Sequence, residues 1–165
     1  MGCGKSSVAR ELSRQTSIPF IDLDDFIERS EKLTIKNIFD RHGEIYFRKK
    51  ERYYLEKLLK SNNYSIVSLG GGTPCYSDNM RFLNSIENVF TIFLQTSPKQ
   101  LAHRLFNERK KRPLISHLNS IESMEEFISK HLFERMNYYS RAKHKIATNE
   151  KSVSQIVKDI LTLLT

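Results

Sequence analysis

The chain opens Met1-Gly2-Cys3-Gly4-Lys5-Ser6-Ser7 and continues Val8-Ala9-Arg10-Glu11-Leu12, with apolar residues at helical spacing. A loop that binds phosphate needs glycines, so that backbone N–H groups can curl around anionic oxygens. It also needs a lysine to reach the outer phosphates and a hydroxyl at a helix N-terminus to meet Mg²⁺. Gly4-Lys5-Ser6 supplies that ending, with Gly2 two residues earlier. The full pattern, G-x4-G-K-[ST], has its first glycine five positions before Gly4, so the chain presents the motif from its middle. Met1-Gly2 with Ser6 also satisfies the loose N-myristoylation pattern, and Cys3 would suit palmitoylation; that rival leaves Gly4 and Lys5 unexplained.

Beyond the loop, short apolar runs rich in β-branched and aromatic residues alternate with longer helical patterns. Residues 18–23, 64–69, 89–95 and 145–148 read as strands. Residues 5–15, 44–60, 78–83, 98–106, 122–141 and 153–164 read as helices, with apolar positions three or four apart such as Leu55, Leu58 and Leu59. This alternation predicts an α/β domain with a mostly parallel sheet, in which ligands bind beyond the carboxyl ends of the strands.

The informative residues do follow strands. The first predicted strand ends in Phe20-Ile21-Asp22-Leu23-Asp24-Asp25. Two carboxylates one residue apart at a strand end project to one side, where one can support Mg²⁺ through water and the other a substrate hydroxyl. The plainer reading is a helix N-cap, a role open to Asp24 or Asp25. The next strand runs into Gly70-Gly71-Gly72-Thr73-Pro74; three glycines cost backbone entropy and suggest a close approach of the chain to a ligand, or simply a tight loop.

Composition bounds the rest. The 165 residues suffice for one domain, and 39% hydrophobic with 28% charged residues excludes a disordered chain. No apolar run approaches the ~20 residues that span a bilayer. There is no basic n-region with an apolar h-region, and Cys3 and Cys75 make no disulfide framework, so the cytoplasm is expected. The net charge of +8 points to an anionic partner. The densest basic run is Arg109-Lys110-Lys111-Arg112, and without any RNA-binding aromatic signature, zinc-finger spacing or basic zipper, small anionic molecules are favoured over nucleic acid.

Gly4-Lys5-Ser6, Asp22-x-Asp24, Phe47-Arg48, Gly70-Gly71-Gly72, Arg112-Pro113-Leu114 and Arg135 stand in an order and spacing that resemble the shikimate kinase family over essentially the whole chain. The resemblance implies a three-layer P-loop kinase fold: α/β, with a parallel sheet in family order 2-3-1-4-5. It implies one domain over residues 1–165 with a lid around 108–121. The implied activity is ATP-dependent phosphorylation of shikimate to shikimate 3-phosphate in aromatic amino acid biosynthesis, by a monomer acting on a small molecule. Gly2, Gly4, Lys5, Ser6 and Ser7 would form the nucleotide loop, Lys5 holding the β and γ phosphates. Ser6 would bind Mg²⁺, and Asp22 would support the ion through water. Asp24 would orient the substrate hydroxyls and take a proton. Arg48 and Arg135 would clamp the substrate carboxylate, beside Phe47 and the triplet Gly70, Gly71 and Gly72, while Glu51 would hold Arg48. Arg112 in the lid would reach the phosphates, and Arg104 would lie against adenine.

The family's first strand and first loop glycine do not stand in this sequence, and Met1 falls where the family's loop often carries a methionine. Met1 is therefore read as an internal methionine taken as the start, in preference to the alternative of a truncated, inactive copy. The chain as it stands is expected to be less soluble or less active than one with about ten more upstream residues, because a central strand satisfies backbone groups on both sides.

Plainer readings stand beside these roles. Arg48 could be a surface residue paired with Glu44 or Glu51 at helical spacing. Arg135 could be solvated, although none of its helical neighbours His131, Leu132, Tyr138 and Tyr139 is an acid. The run at 109–112 could be a basic face favoured by a helix dipole. A gluconate or nucleoside-monophosphate kinase, or a catalytically silent nucleotide- or RNA-binding module, are the alternatives at the level of function.

Overall fold

The structure, a computed structural model, describes residues 2–61 and 64–164, with Lys111 and Pro113 described by backbone alone. Met1 lies outside the described residues, and so does its reading as an internal methionine. The elements run α1 (Lys5–Thr16), β1 (Phe20–Asp22), α2 (Leu23–Glu31), α3 (Ile35–Lys60), β2 (Ile66–Ser68) and α4 (Asn79–Ser85). They continue with β3 (Ile92–Gln95), α5 (Pro98–Phe106), α6 (Ile121–Tyr139), β4 (His144–Ala147) and α7 (Val153–Leu164). The alternation predicted from the sequence is present: all four strands form, the first three beginning two or three residues later than expected and the fourth, His144–Ala147, shifted by one.

Pairing is parallel, as the alternation requires. β1 pairs with β2 in the register Phe20↔Ile66, Ile21↔Val67, Asp22↔Ser68. β3 pairs with β4 through Ile92↔His144 to Gln95↔Ala147. The family order 2-3-1-4-5 sets its second strand beside its third and its fourth beside its fifth, and the observed ladders are those two pairs. By internal contacts the chain parts into two compact units, Ser6–Phe82 and Met1–Lys5 with Leu83–Thr165.

In the unit Ser6–Phe82, the first predicted strand is shorter than expected because Asp22 turns the chain into a helix. Its carboxylate accepts the backbone N–H of Asp24 and caps α2. The N-cap is thus Asp22 rather than Asp24 or Asp25; those two fill the first turn, where negative charge meets the positive end of the helix dipole. The helix expected from 44 begins earlier, at Ile35, behind a Thr34 cap that accepts from Asn37 N–H. It is broken at Gly43, whose φ of 76° and ψ of 174° only glycine adopts readily. The buried apolar residues here are Val8, Ala9 and Leu12 of α1, Leu23 and Ile27 of α2, and Ile38, Phe47, Tyr54 and Leu55 of α3.

α2 and α3 are also tied by a carboxylate. Tyr46, Lys50 and Tyr54 recur every four residues on one face of α3 and converge on Glu31 at the end of α2. Tyr54 Oη donates at 2.5 Å, Lys50 Nζ at 2.9 Å and Tyr46 Oη at 3.1 Å. The Tyr54 hydroxyl first, then Lys50, hold the Glu31 carboxyl below its ordinary value of 4.5, against the effect of burial. A carboxyl lowered on folding stabilises the native state above its unfolded value, and that contribution is lost as pH falls through the folded value. The melting temperature of Glu31→Gln is therefore expected to fall less steeply than that of the parent chain on acidification below about 4.5, in thermal melts across pH. Parallel acid limbs would remove the assignment.

In the other unit, Leu101, Ala102 and Leu105 of α5 pack with Met124 and Ile128 of α6 and with Ile115. Ile115 is fully buried, so the segment expected as a lid carries an apolar anchor at its middle. Leu94 and Ile146 are register partners across β3 and β4 and are both buried. α7 turns Ile156, Val157 and Ile160 inward. Among the described residues no helix is long and apolar enough to cross a membrane.

Candidate active site

Gly2 and Gly4 both hold positive φ, 76° and 86°. A Cβ on Gly2 would also meet Leu105 Cγ at 2.8 Å, whereas Gly4 has open space and requires glycine for its backbone angle alone. Left-handed residues alternating with ordinary ones turn successive N–H groups to one side, and α1 begins at Lys5 with first-turn N–H groups that have no intrahelical partner. That first turn contains no acidic residue, so the positive end of the helix is left for an external anion. Lys5 Nζ meets only Cys3 Sγ, at 3.9 Å, and has no carboxylate partner among the described residues. Ser7 is exposed in the same turn.

In the unit Ser6–Phe82 the expected metal pair is brought together. Ser6 Oγ donates to Asp22 Oδ2 at 3.3 Å, and Asp22 Oδ1 accepts the Asp24 N–H at 3.1 Å, so the α2 cap and the carboxylate expected beside the metal are one side chain. The Asp24 carboxylate stands against the glycine triplet: a Cβ on Gly70 would lie 3.2 Å from Asp24 Oδ1 and 3.2 Å from Thr73 Oγ1.

At the other end of the triplet stands Arg48. A Cβ on Gly72 would collide with its guanidinium, 2.8 Å from Nη1 and 2.9 Å from Cζ. The triplet is thus glycine for close approach, to Asp24 at one end and Arg48 at the other; none of the three holds a positive φ. Arg48 is not a surface residue, since its side chain is only 14% exposed. It bonds both acids that helical spacing offers: Nη1 reaches Glu51 Oε2 at 2.9 Å, and Nε reaches Glu44 Oε1 at 3.3 Å. Glu51 is 1% exposed, Glu44 64%, so the buried partner decides the orientation. Phe47, buried and packed against Phe39 at a tilt of 36° with ring centroids 4.8 Å apart, underlies the guanidinium, whose Cζ is 5.2 Å from the Phe47 ring and 5.9 Å from the Tyr76 ring. Burial pulls the guanidinium pKa down, but Glu51 and then Glu44 outweigh it, and the net direction is up.

The remaining expected residues lie in the other unit. Arg104 is half-buried in the last turn of α5. Arg112 sits between two short 3-10 turns and donates to Glu108 through Nη2 at 2.8 Å and Nε at 3.3 Å. Arg135 is half-buried on α6 with no acidic partner among the described residues. Burial and then the Arg135 charge push the neighbouring His131 below its ordinary value. Among the described residues the half-buried Arg135 guanidinium therefore has no counter-charge. Three residues missed in the sequence, Arg52, Thr73 and Asn79, tie α3 to the stretch after the triplet. Nothing in their spacing marks them, because a Thr before a proline and an Asn at a helix start read as turn and cap residues.

A glycine nest opening a helix, a Ser–Asp pair at the first strand end and a buried arginine beside a glycine triplet, on parallel α/β topology, define a P-loop small-molecule kinase. The shikimate kinase family model matches residues 1–165. The shikimate kinase of Flavobacterium johnsoniae is 47% identical over 164 residues, 99% of this chain and 94% of that one. That of Flavobacterium psychrophilum is 41% identical with the same coverage. The crystal structure of shikimate kinase from Bacteroides thetaiotaomicron superposes with a TM-score of 0.84 at 30% identity, over 99% of this chain and 93% of that one. Shikimate kinase from Acinetobacter baumannii in complex with shikimate gives 0.83 at 30% identity, over 99% and 88%. The chain belongs to the shikimate kinase family, whose activity is ATP-dependent phosphoryl transfer to an alcohol group of shikimate.

Proposed function

We propose that this chain transfers the γ-phosphoryl group of ATP to a hydroxyl of shikimate, as a cytoplasmic monomer that acts on this small acid and not on nucleic acid. The observation that carries the reading is the buried Arg48 fork, braced by Glu51 and set against the same glycine triplet as the Asp24 carboxylate. A planar fork donates two parallel hydrogen bonds to a carboxylate, and a neighbouring carboxylate suits a polyol hydroxyl, so together they select an acid that also carries hydroxyls. The shikimate complex of the Acinetobacter baumannii relative supports that ligand.

In this reading Gly2, Gly4, Lys5, Ser6 and Ser7 cradle the nucleotide phosphates. Asp24 orients the attacking hydroxyl and accepts its proton, and the backbone of Gly70, Gly71 and Gly72 lines the acid. Arg135 is the second guanidinium for the carboxylate. Segment 108–121 is the lid, bringing Arg112 to the phosphates after it leaves Glu108, and Arg104 lies against adenine. Ser6 and Asp22 offer a hydroxyl and a carboxylate, hard oxygen donors that fit Mg²⁺ with its other positions left to water and phosphate. When bound, the ion neutralises charge on the phosphate oxygens.

A coupled ADP-release assay with shikimate, gluconate and nucleoside monophosphates as acceptors tests the reading; turnover with shikimate above the other two is expected, and a preference for either would overturn it. Arg48→Lys and Arg135→Lys are each expected to raise KM for shikimate about 10-fold while KM for ATP stays nearly constant, because lysine cannot reproduce the fork. Unchanged KM for shikimate in both would leave these arginines structural.

A further inference from the structure

Glu51 holds Arg48, but something must hold Glu51. Its two oxygens are both claimed: Oε2 by Arg48 Nη1 at 2.9 Å, and Oε1 by the Thr73 hydroxyl, which donates at 2.6 Å. Thr73 is fully buried and is fixed in turn, its carbonyl accepting Asn79 Nδ2 at 2.8 Å. Asn79 is also fully buried. Its Oδ1 accepts Arg52 Nη1 at 2.9 Å, and the same nitrogen donates to Asp78 Oδ1 at 2.9 Å. That assigns the amide without ambiguity, oxygen toward Arg52 and nitrogen toward Thr73. Arg52 is itself immobilised, with Nε on Glu56 at 2.6 Å and its guanidinium 3.8 Å over the Phe82 ring.

The five residues form a circuit that leaves α3 at Arg52, crosses Asn79 and Thr73, and returns to α3 at Glu51 and Arg48. A buried hydroxyl, amide and carboxylate would be a costly way merely to attach a loop, since apolar side chains of the same size do so without desolvating polar groups. What the polar chain adds is direction. With both oxygens engaged at right-sized distances, the Glu51 carboxylate cannot turn, and Arg48 is aimed along the Gly72 backbone where a Cβ would collide with it.

We propose that Thr73 and Asn79, backed by Arg52, are positioning residues that set the direction of the Arg48 fork and thereby the affinity for the acid substrate. The inference rests on the reading of Arg48 as the carboxylate ligand.

The test compares Thr73→Val, Thr73→Ser, Asn79→Asp and Arg48→Lys by steady-state kinetics in shikimate and in ATP, with thermal melts of each. Thr73→Val keeps the shape and removes the hydroxyl, and Asn79→Asp removes the donor to the Thr73 carbonyl. Both are expected to raise KM for shikimate about 10-fold, the scale of one misdirected charge-assisted hydrogen bond. kcat and KM for ATP should stay within about twofold, and Thr73→Ser, which keeps the donor, should restore KM for shikimate. If Arg48→Lys raises that KM while Thr73→Val and Asn79→Asp leave it unchanged, the circuit does not position the fork and the inference falls alone. If Arg48→Lys leaves it unchanged, the reading of Arg48 falls and takes the inference with it. A uniform loss of kcat and both affinities, tracking the melting temperature and not rescued by serine, would make the circuit purely structural and overturn the proposal. Should Thr73→Val not fold, Asn79→Asp and Thr73→Ser decide by the same criteria.

Discussion

Asp24→Asn is expected to fold, to bind ATP with unchanged affinity, and to lose about 10²- to 10⁴-fold in kcat, the range that one positioned general base contributes. At 1.36 kcal/mol per decade this is roughly 3 to 5 kcal/mol of transition-state stabilisation. The variant is informative because the fold uses chiefly the residue's backbone and the proposed chemistry its side chain. The Asp24 N–H is what Asp22 accepts in capping α2, and asparagine retains it. The side chain stands against Gly70, where an amide of the same shape fits equally well. What disappears is a negative charge able to orient a hydroxyl and take its proton. A small loss of stability is also expected, because a carboxylate in the first turn of a helix is worth about 0.3 to 1 kcal/mol. Single-turnover and steady-state rates at saturating ATP and shikimate measure the effect. A near-normal kcat would remove Asp24 from the chemistry and leave it a helix-terminus residue.

Glu51→Ala carries the largest expected cost in stability, about 3 to 5 kcal/mol, the usual result of removing one partner from a buried ion pair. Arg48 would keep only the exposed Glu44, and the Thr73 hydroxyl, fully buried, would lose its acceptor. For a domain whose stability is commonly ~5 to 15 kcal/mol, this approaches unfolding. Glu51→Gln should cost much less: its amide oxygen can accept from Arg48, and its nitrogen can donate to the Thr73 oxygen, so the buried groups stay paired. Urea denaturation of the three proteins orders them. If Glu51→Ala lies within about 1 kcal/mol of the parent chain, water replaces the carboxylate and the site is looser than its geometry implies.

The chemistry of the anion loop could be read before any fold was known, because it is local. The roles proposed for Gly2, Gly4, Lys5 and Ser6 rest on backbone angles and the start of one helix, all within a few residues of chain. The same holds for the strand and helix alternation, which is a matter of period. Asp22 and Asp24 were legible as a candidate pair at a strand end, yet which of them caps α2 was not. Whether Asp22 or Asp24 caps α2 depends on the residue at which strand becomes helix, and the sequence pattern leaves that boundary open by two residues.

Arg48 illustrates the limit most clearly. Helical spacing placed Glu44 and Glu51 within its reach and could not distinguish them, since both lie on the same face. Only packing buries Glu51 to 1% and leaves Glu44 64% exposed, which turns one pair into a fixed orientation and the other into a solvated contact. The triplet at 70–72 declared a close approach, but what it approaches, Asp24 and Arg48, stands more than twenty residues away along the chain. Thr73, Asn79 and Arg52 carried no signal, because each is an ordinary polar residue until the fold removes it from water. The sequence by itself determined the α/β class, the glycine loop that opens α1 and the residue types offered to the proposed site, which follow from local backbone geometry and periodicity. The tertiary structure alone decided which polar groups are buried together and in what direction they point, because desolvation and hydrogen-bond direction exist only once distant segments meet.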